Sequence, residues 1–266
     1  SSPGFPKKLT PSTLPAPGQS QVLDVEFLTA TLAPGKYEVE FQLQSPSGTR
    51  VSSVTTELTV QENLATTDLI AFERVRTEKR RGADTYVAEG LETGFGAGPH
   101  LEIHRPVPKA DQPAPAKHAY LRFDLGPWTQ RRDQIDRSML LLTLDAGGHQ
   151  GKVTLAAYGV TQRMSPEWAE KGEGGIHWAT SPSTGEIESY PFLGRVELDN
   201  SGGQLERQAD AIRLFGRGLD DYLRAEQGEF VTILLVQTNT ADKPLRVVSR
   251  EGNAEESPAL ALRANP

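Results

Sequence analysis

Hydrophobic and polar positions alternate along most of the chain, and six residues carry the pattern at its clearest: Tyr120, Leu121, Arg122, Phe123, Asp124 and Leu125. In a β-strand, successive side chains point to opposite faces. Leu121, Phe123 and Leu125 therefore share one side, and Tyr120, Arg122 and Asp124 the other. One face is apolar and the other aromatic and charged. That suits a sheet with one face on a core and one toward water or a ligand.

Similar runs recur. After residue 84 the spacing predicts strands over 84–89, 101–105, 119–125, 138–145, 153–160, 195–198, 230–237, 245–249 and 259–262, with gaps rich in Gly and Pro. One helix is predicted over 209–226, from Leu214, Leu219, Tyr222 and Leu223, with Gly216 and Gly218 interrupting it. Many short strands and one short helix predict an all-β fold, an antiparallel β-sandwich of jelly-roll type. Upstream, strands are predicted over 22–32, 37–43 and 51–60, separated by Ala33-Pro34-Gly35 and Ser45-Pro46-Ser47-Gly48 turns. Three strands are too few for an immunoglobulin sandwich; the expectation is a partial Ig-like segment. Residues 1–20 hold five prolines and read as a linker. The predicted division is 1–20, 21–62 and 66–266.

Composition narrows the function classes. The chain has 266 residues, enough to bury a core without staples. It has no cysteine, so disulfides and thiolate metal sites are excluded. A net charge of −7 argues against a general nucleic-acid binder. No apolar run reaches the length of a membrane span, so no membrane insertion is expected. The polar start, Ser1-Ser2-Pro3-Gly4, reads as a processed or excised N-terminus. The one dense basic cluster is Arg74, Arg76, Lys79, Arg80 and Arg81.

Catalytic motifs are sparse. There is no Gly-x-Ser-x-Gly elbow. Gly147-Gly148-His149-Gln150-Gly151-Lys152-Val153 misses phosphate-loop spacing and lacks the metal-binding hydroxyl, and Pro99 spoils Gly94-Phe95-Gly96-Ala97-Gly98 as a dinucleotide loop. His100 and His104 lie on a strand-like run, about 13 Å apart, too far for one metal. Glu167, Glu170 and Glu173 could form a glycosidase pair only at the right spatial separation, and acidic clusters are expected in so acidic a chain. Trp168 and Trp178 flank Gly172-Glu173-Gly174-Gly175. They are either exposed platforms for sugar rings or core residues closing the sandwich.

Together, Asp84-Thr85-Tyr86-Val87, Phe95-Gly96, Leu101-Glu102-Ile103, the Tyr120–Leu125 strand, Trp168, Ile176-His177-Trp178-Ala179, Pro182, Ser249-Arg250-Glu251 and Pro258-Ala259-Leu260 resemble the DNRLRE domain. This is a bacterial extracellular β-sandwich family that includes alginate-binding carbohydrate-binding modules. The resemblance spans residues 70–266 and meets only part of the terminal motif. It implies a non-catalytic polysaccharide-binding module of a secreted or cell-surface protein, linked to other domains, with an acidic glycan favoured. The alternative is a structural or adhesive module of a large surface protein; an enzyme ranks third. Candidate ligand residues are Trp168, Tyr158, His177, Arg163, Lys152, Arg80 and Arg81. Asp84 is a candidate ligand for a structural calcium ion. Arg122, Asp124, Arg250 and Glu251 are expected to form ion pairs that pin strands together.

Overall fold

The structure, a computed structural model, describes residues 35–44, 50–60, 72–79, 81–109, 114–145, 149, 151–161, 168–170, 175–200 and 208–264. The chain divides into two units, Ser1–Ile70 and Ala71–Pro266. In the first, β1 (Gly35–Gln44) and β2 (Arg50–Val60) form an antiparallel hairpin. The strand expected over 22–32 lies outside the described residues.

The second unit is an all-β sandwich. Its strands are β3 (Glu73–Arg76), β4 (Ala83–Ala88), β5 (His100–Ile103), β6 (Lys117–Asp124), β7 (Ile135–Leu144), β8 (Gly151–Val160), β9 (Phe192–Asn200), β10 (Gln208–Phe215), β11 (Phe230–Gln237), β12 (Leu245–Val248) and β13 (Ala259–Ala264). One sheet runs β3-β13-β7-β12-β5, with β10 also on β7; the other runs β4-β6-β11-β8-β9. All their ladders are antiparallel. The quartets β3-β13-β7-β10 and β6-β11-β8-β9 give the jelly-roll arrangement, in which the chain crosses repeatedly between two facing sheets.

The alternation explains the packing. Leu121 and Phe123 of β6, Ile233 and Leu235 of β11, and Leu155 and Ala157 of β8 meet Leu140 and Leu142 of β7 and Leu260 and Leu262 of β13 in one core. Trp128, in the short turn after β6, closes that core and is almost fully buried.

One expectation is corrected, and one strand was not foreseen. The predicted helix over 209–226 is a strand and a helix. Ile212 and Leu214 alternate with exposed or half-buried neighbours and pair with β7. The backbone then breaks at Gly216, whose φ of 153° suits glycine, before α1 (Arg217–Ala225) begins. The strand β3 went unpredicted because Glu-Arg-Val-Arg offers a single buried apolar residue.

Helix α1 ties the sheets together. It buries Leu219, Tyr222 and Leu223. Ser138 of β7 donates to Asp220 at 2.5 Å. The Tyr222 hydroxyl reaches the carbonyls of Val160 (3.1 Å) and Thr232 (2.9 Å) in the opposite sheet. Its ring lies directly over Gly159, where an added Cβ would come within 2.5 Å of ring carbons. Gly159→Ala is therefore expected to lose about 1–3 kcal/mol of stability through overpacking. Urea denaturation measures this, and an unchanged midpoint would show that the ring moves aside freely.

Candidate functional site

The second sheet is apolar on its core face and over part of its outer face. Its outer face carries Val87, Tyr120, Leu234 and Val160, which form a second buried cluster with Trp168, Ile176 and Tyr190 from the connection between β8 and β9. The face expected to meet water is thus covered by the chain itself, and Tyr120 is fully buried.

The cover is pinned at two places. Ser183 Oγ lies 2.6 Å from the Tyr120 hydroxyl and 2.8 Å from His118 Nδ1. Burial pushes the His118 imidazole down to about 4 and the Tyr120 phenol up to about 12, so both are neutral near pH 7. The phenol can then donate to Ser183, and Ser183 to Nδ1. No carboxylate pairs with His118 among the described residues, and Trp178 lies over its ring at 4.9 Å. The geometry is that of a buried latch. At the second pin, Arg122 Nη1 donates to the Trp168 carbonyl at 2.6 Å. Its guanidinium stacks over the Trp168 ring at 5.0 Å and over Phe230 at 5.3 Å.

The predicted ligand residues fall in different environments. Trp168 is only 7% exposed, meets Tyr120 edge-on, and donates Nε1–H to Thr232 Oγ1 at 3.2 Å. This corrects its reading as an open platform: the ring packs in the second apolar cluster. Trp178 is half-buried over the latch. His177 is half-buried, and its backbone N–H donates to Thr180 Oγ1 at the start of a short turn. Arg81 is exposed, lies 4.4 Å over Phe230, and pairs with Glu229 and, at 3.7 Å, with Asp124. Arg80 and Arg163 lie outside the described residues.

Tyr158 and Lys152 share the outer face of β8 with Thr154 and Ala156. Their opposite numbers on β9 are Phe192, Asp199, Glu197 and Arg195. Tyr158 meets Phe192 edge-on at 5.7 Å, and Phe192 is 42% exposed. Lys152 lies 3.9 Å from Asp199. Phe192 was missed as a site residue. The one available signal was an aromatic two residues after Tyr190 at the entry to a strand.

Of the residues expected to pin strands through ion pairs, Asp124 pairs with Arg81 at 3.7 Å, and Arg250 pairs with Glu170 and Glu251. Asp124 accepts from the Gly126 N–H at 3.0 Å, capping the turn after β6. Arg250 organises three carboxylates, those of Asp84, Glu170 and Glu251, whose oxygens lie within 4.8 Å of one another. Its guanidinium is 3.6 Å from Glu170 and 3.7 Å from Glu251, and bonds the Gly82 carbonyl. Its backbone N–H donates to Asp84 at 3.1 Å, and Thr77 donates to the same oxygen at 2.6 Å. Gly96 permits Glu170 to approach, since a Cβ there would lie 2.3 Å from its Cγ.

A hard cation would suit an all-carboxylate set, but calcium takes six to eight oxygens. Here the Arg250 guanidinium stands against Glu170 and Glu251 and its backbone N–H against Asp84, an arginine-centred clasp; the same three carboxylates could also hold a cation, so Asp84 keeps its place as a candidate calcium ligand.

No family model matches the chain, and no curated protein matches it. Among solved structures, a latent aurone synthase (polyphenol oxidase) from a natural source is similar over 63% of this chain, at 13% identity and a TM-score of 0.24. The chain spans about a quarter (24%) of that protein's length. A likeness this slight says nothing of activity.

Two outcomes test the clasp. Calcium or a chelator should leave the melting temperature unchanged; a calcium-dependent rise would favour the metal reading. Burial, opposed by the Thr77 and Arg250 hydrogen bonds, raises the Asp84 carboxyl from 3.8 to about 7. The folded protein thus holds this proton more tightly than the unfolded chain. The resulting stability is fully present below pH 3.8 and is lost as pH rises through about 7. Against Asp84→Asn, which cannot titrate, the wild type should gain on the order of 4 kcal/mol between pH 8 and pH 4. Chemical denaturation across that range measures it, and parallel curves would refute the shift.

Proposed function

We propose that residues 71–266 form a non-catalytic carbohydrate-binding module of a secreted or cell-surface protein. One observation carries the reading. The exposed Phe192 ring, braced edge-on by Tyr158, stands on a sheet face that also bears Arg195, Glu197, Asp199 and Lys152. An aromatic ring offers an apolar surface to the CH-rich face of a pyranose, while flanking charged groups bond hydroxyls. A rigid strand presents both without a further ordering cost.

Charge refines the ligand. Two cations and two anions share this face, with Lys152 beside Asp199. Stacking and hydroxyl bonding then supply most of the affinity, and a uronate carboxylate paired with Arg195 or Lys152 adds a smaller, salt-sensitive part. The non-catalytic reading is supported by the Ser183–His118 pair, buried in a latch, and by the carboxylate cluster, gathered around Arg250.

Affinity electrophoresis in gels containing alginate, pectin or neutral glycans tests the proposal. At least one glycan should retard the protein. Phe192→Ala should weaken that retardation about tenfold, the worth of a stacked ring. If no glycan retards the protein and it assembles into fibres instead, the structural-module reading takes its place.

A further inference from the structure

We infer that β9 is a docking edge for a second copy of this chain. Among the described residues β9 lies at the end of its sheet and pairs with β8, and the start of α1 at Gly216 and Gly218 lies against Leu193 and Phe192, so its open stretch begins at Gly194. It is nine residues long, where natural edges are usually short or blunted by charges, bulges or proline. Here Arg195, Glu197 and Asp199 are exposed. Val196 and Leu198, which face the core, are only partly buried where the sandwich opens. A register shift between Ala157 and Tyr158 bends the start of the strand, so the regular stretch begins near Gly194.

The charge order on this edge is self-complementary. In an antiparallel pairing about a two-fold axis normal to the sheet, the two strands keep their faces only in registers centred on a residue. Centred on Val196, Arg195 stands opposite Glu197 of the second copy, and symmetry repeats the pair. Val196 then meets its own counterpart, and Leu198 crosses Gly194. Centred on Arg195, like charges meet on the axis; centred on Glu197, two Arg195–Asp199 pairs form but Glu197 meets its own counterpart, whereas the Val196 register has the two attractive pairs and no like-charge contact. Centred on Leu198, Glu197 faces Asp199. Opposite charges directly across a ladder attract and like charges repel, so the sequence Arg-Val-Glu-Leu-Asp selects the Val196 register. Such an isologous contact closes on itself and needs no further copies. It would join the two five-stranded sheets into one continuous surface, with a Tyr158–Phe192 platform on either side of the seam.

Sedimentation velocity on the full chain tests the inference. The wild type should dimerise with rising concentration. Arg195→Glu or Glu197→Arg alone places like charges across both symmetric contacts and should raise the dissociation constant about tenfold or more. Combining the two exchanges restores opposite charges and should recover the dimer, a rescue that a merely misfolded variant would not show. A monomer up to concentrations on the order of 1 mM, a dimer indifferent to either reversal, or a double exchange without rescue would each overturn it.

Discussion

Burial of both faces of β6 is the constraint on which the second unit depends. A strand in the middle of a sandwich normally has one face in the core and the other in solvent. Here Leu121 and Phe123 fill the inter-sheet core while Tyr120 and Asp124 on the opposite face are also buried. The long connection between β8 and β9 must therefore fold back over its own sheet, and its polar groups must find partners there. Ser183 supplies one anchor, bonded to Tyr120 and His118. Trp168 supplies the other, with its carbonyl on Arg122 and its indole N–H on Thr232. The latch and the stacked guanidinium are the polar consequences of covering an apolar face.

Desolvation is also the common cause of the unusual ionisation in this unit. His118 is held neutral, Tyr120 is kept as a phenol, and Asp84 retains a proton toward neutral pH, with burial the largest cause each time. Perturbed groups of this kind often mark catalytic sites. Geometry separates the cases here. The His118 latch joins the sheet to its cover, and the Asp84 clasp joins β4 to the segment after β12. Each serves an element boundary. Glu102 shows the opposite balance: it is buried too, yet Lys117 and Arg246 bond it and hold its carboxyl below the usual range.

Strand alternation was legible in the sequence because it is local. The period-2 pattern located β6, β7, β8, β11 and β13 closely and implied the sandwich. β3 was hidden because an edge strand with one apolar contact has no periodicity to read. The 209–226 segment misled because Leu214, Leu219 and Leu223 fit a helical spacing as well as a strand joined to a helix at Gly216. Site partners were less legible still. Arg250 lies 166 positions from Asp84 and Ser183 lies 63 from Tyr120, so no spacing rule connects them. Trp168 was open to two readings, platform or core residue, because sequence gives a tryptophan its chemistry and says nothing of its cover.

The outer face of the second sheet carries the same chemistry at both ends, and only the cover distinguishes them. Near β4 and β6, Trp168, Arg122, Phe230 and Arg81 stack in alternation, and the protein's own carbonyls and carboxylates satisfy the cations. Near β8 and β9, Tyr158 and Phe192 stand on the face that also carries Arg195 and, at its far end, Lys152, with Phe192 still open to solvent. An aromatic ring beside an arginine is thus a packing device where the β8–β9 connection lies over it and an open surface where that connection has passed. The path of the connection from Ser183 to Tyr190, fixed by the latch, decides which aromatics stay open to solvent. Composition alone could not make that distinction, since both ends draw on the same few residue types.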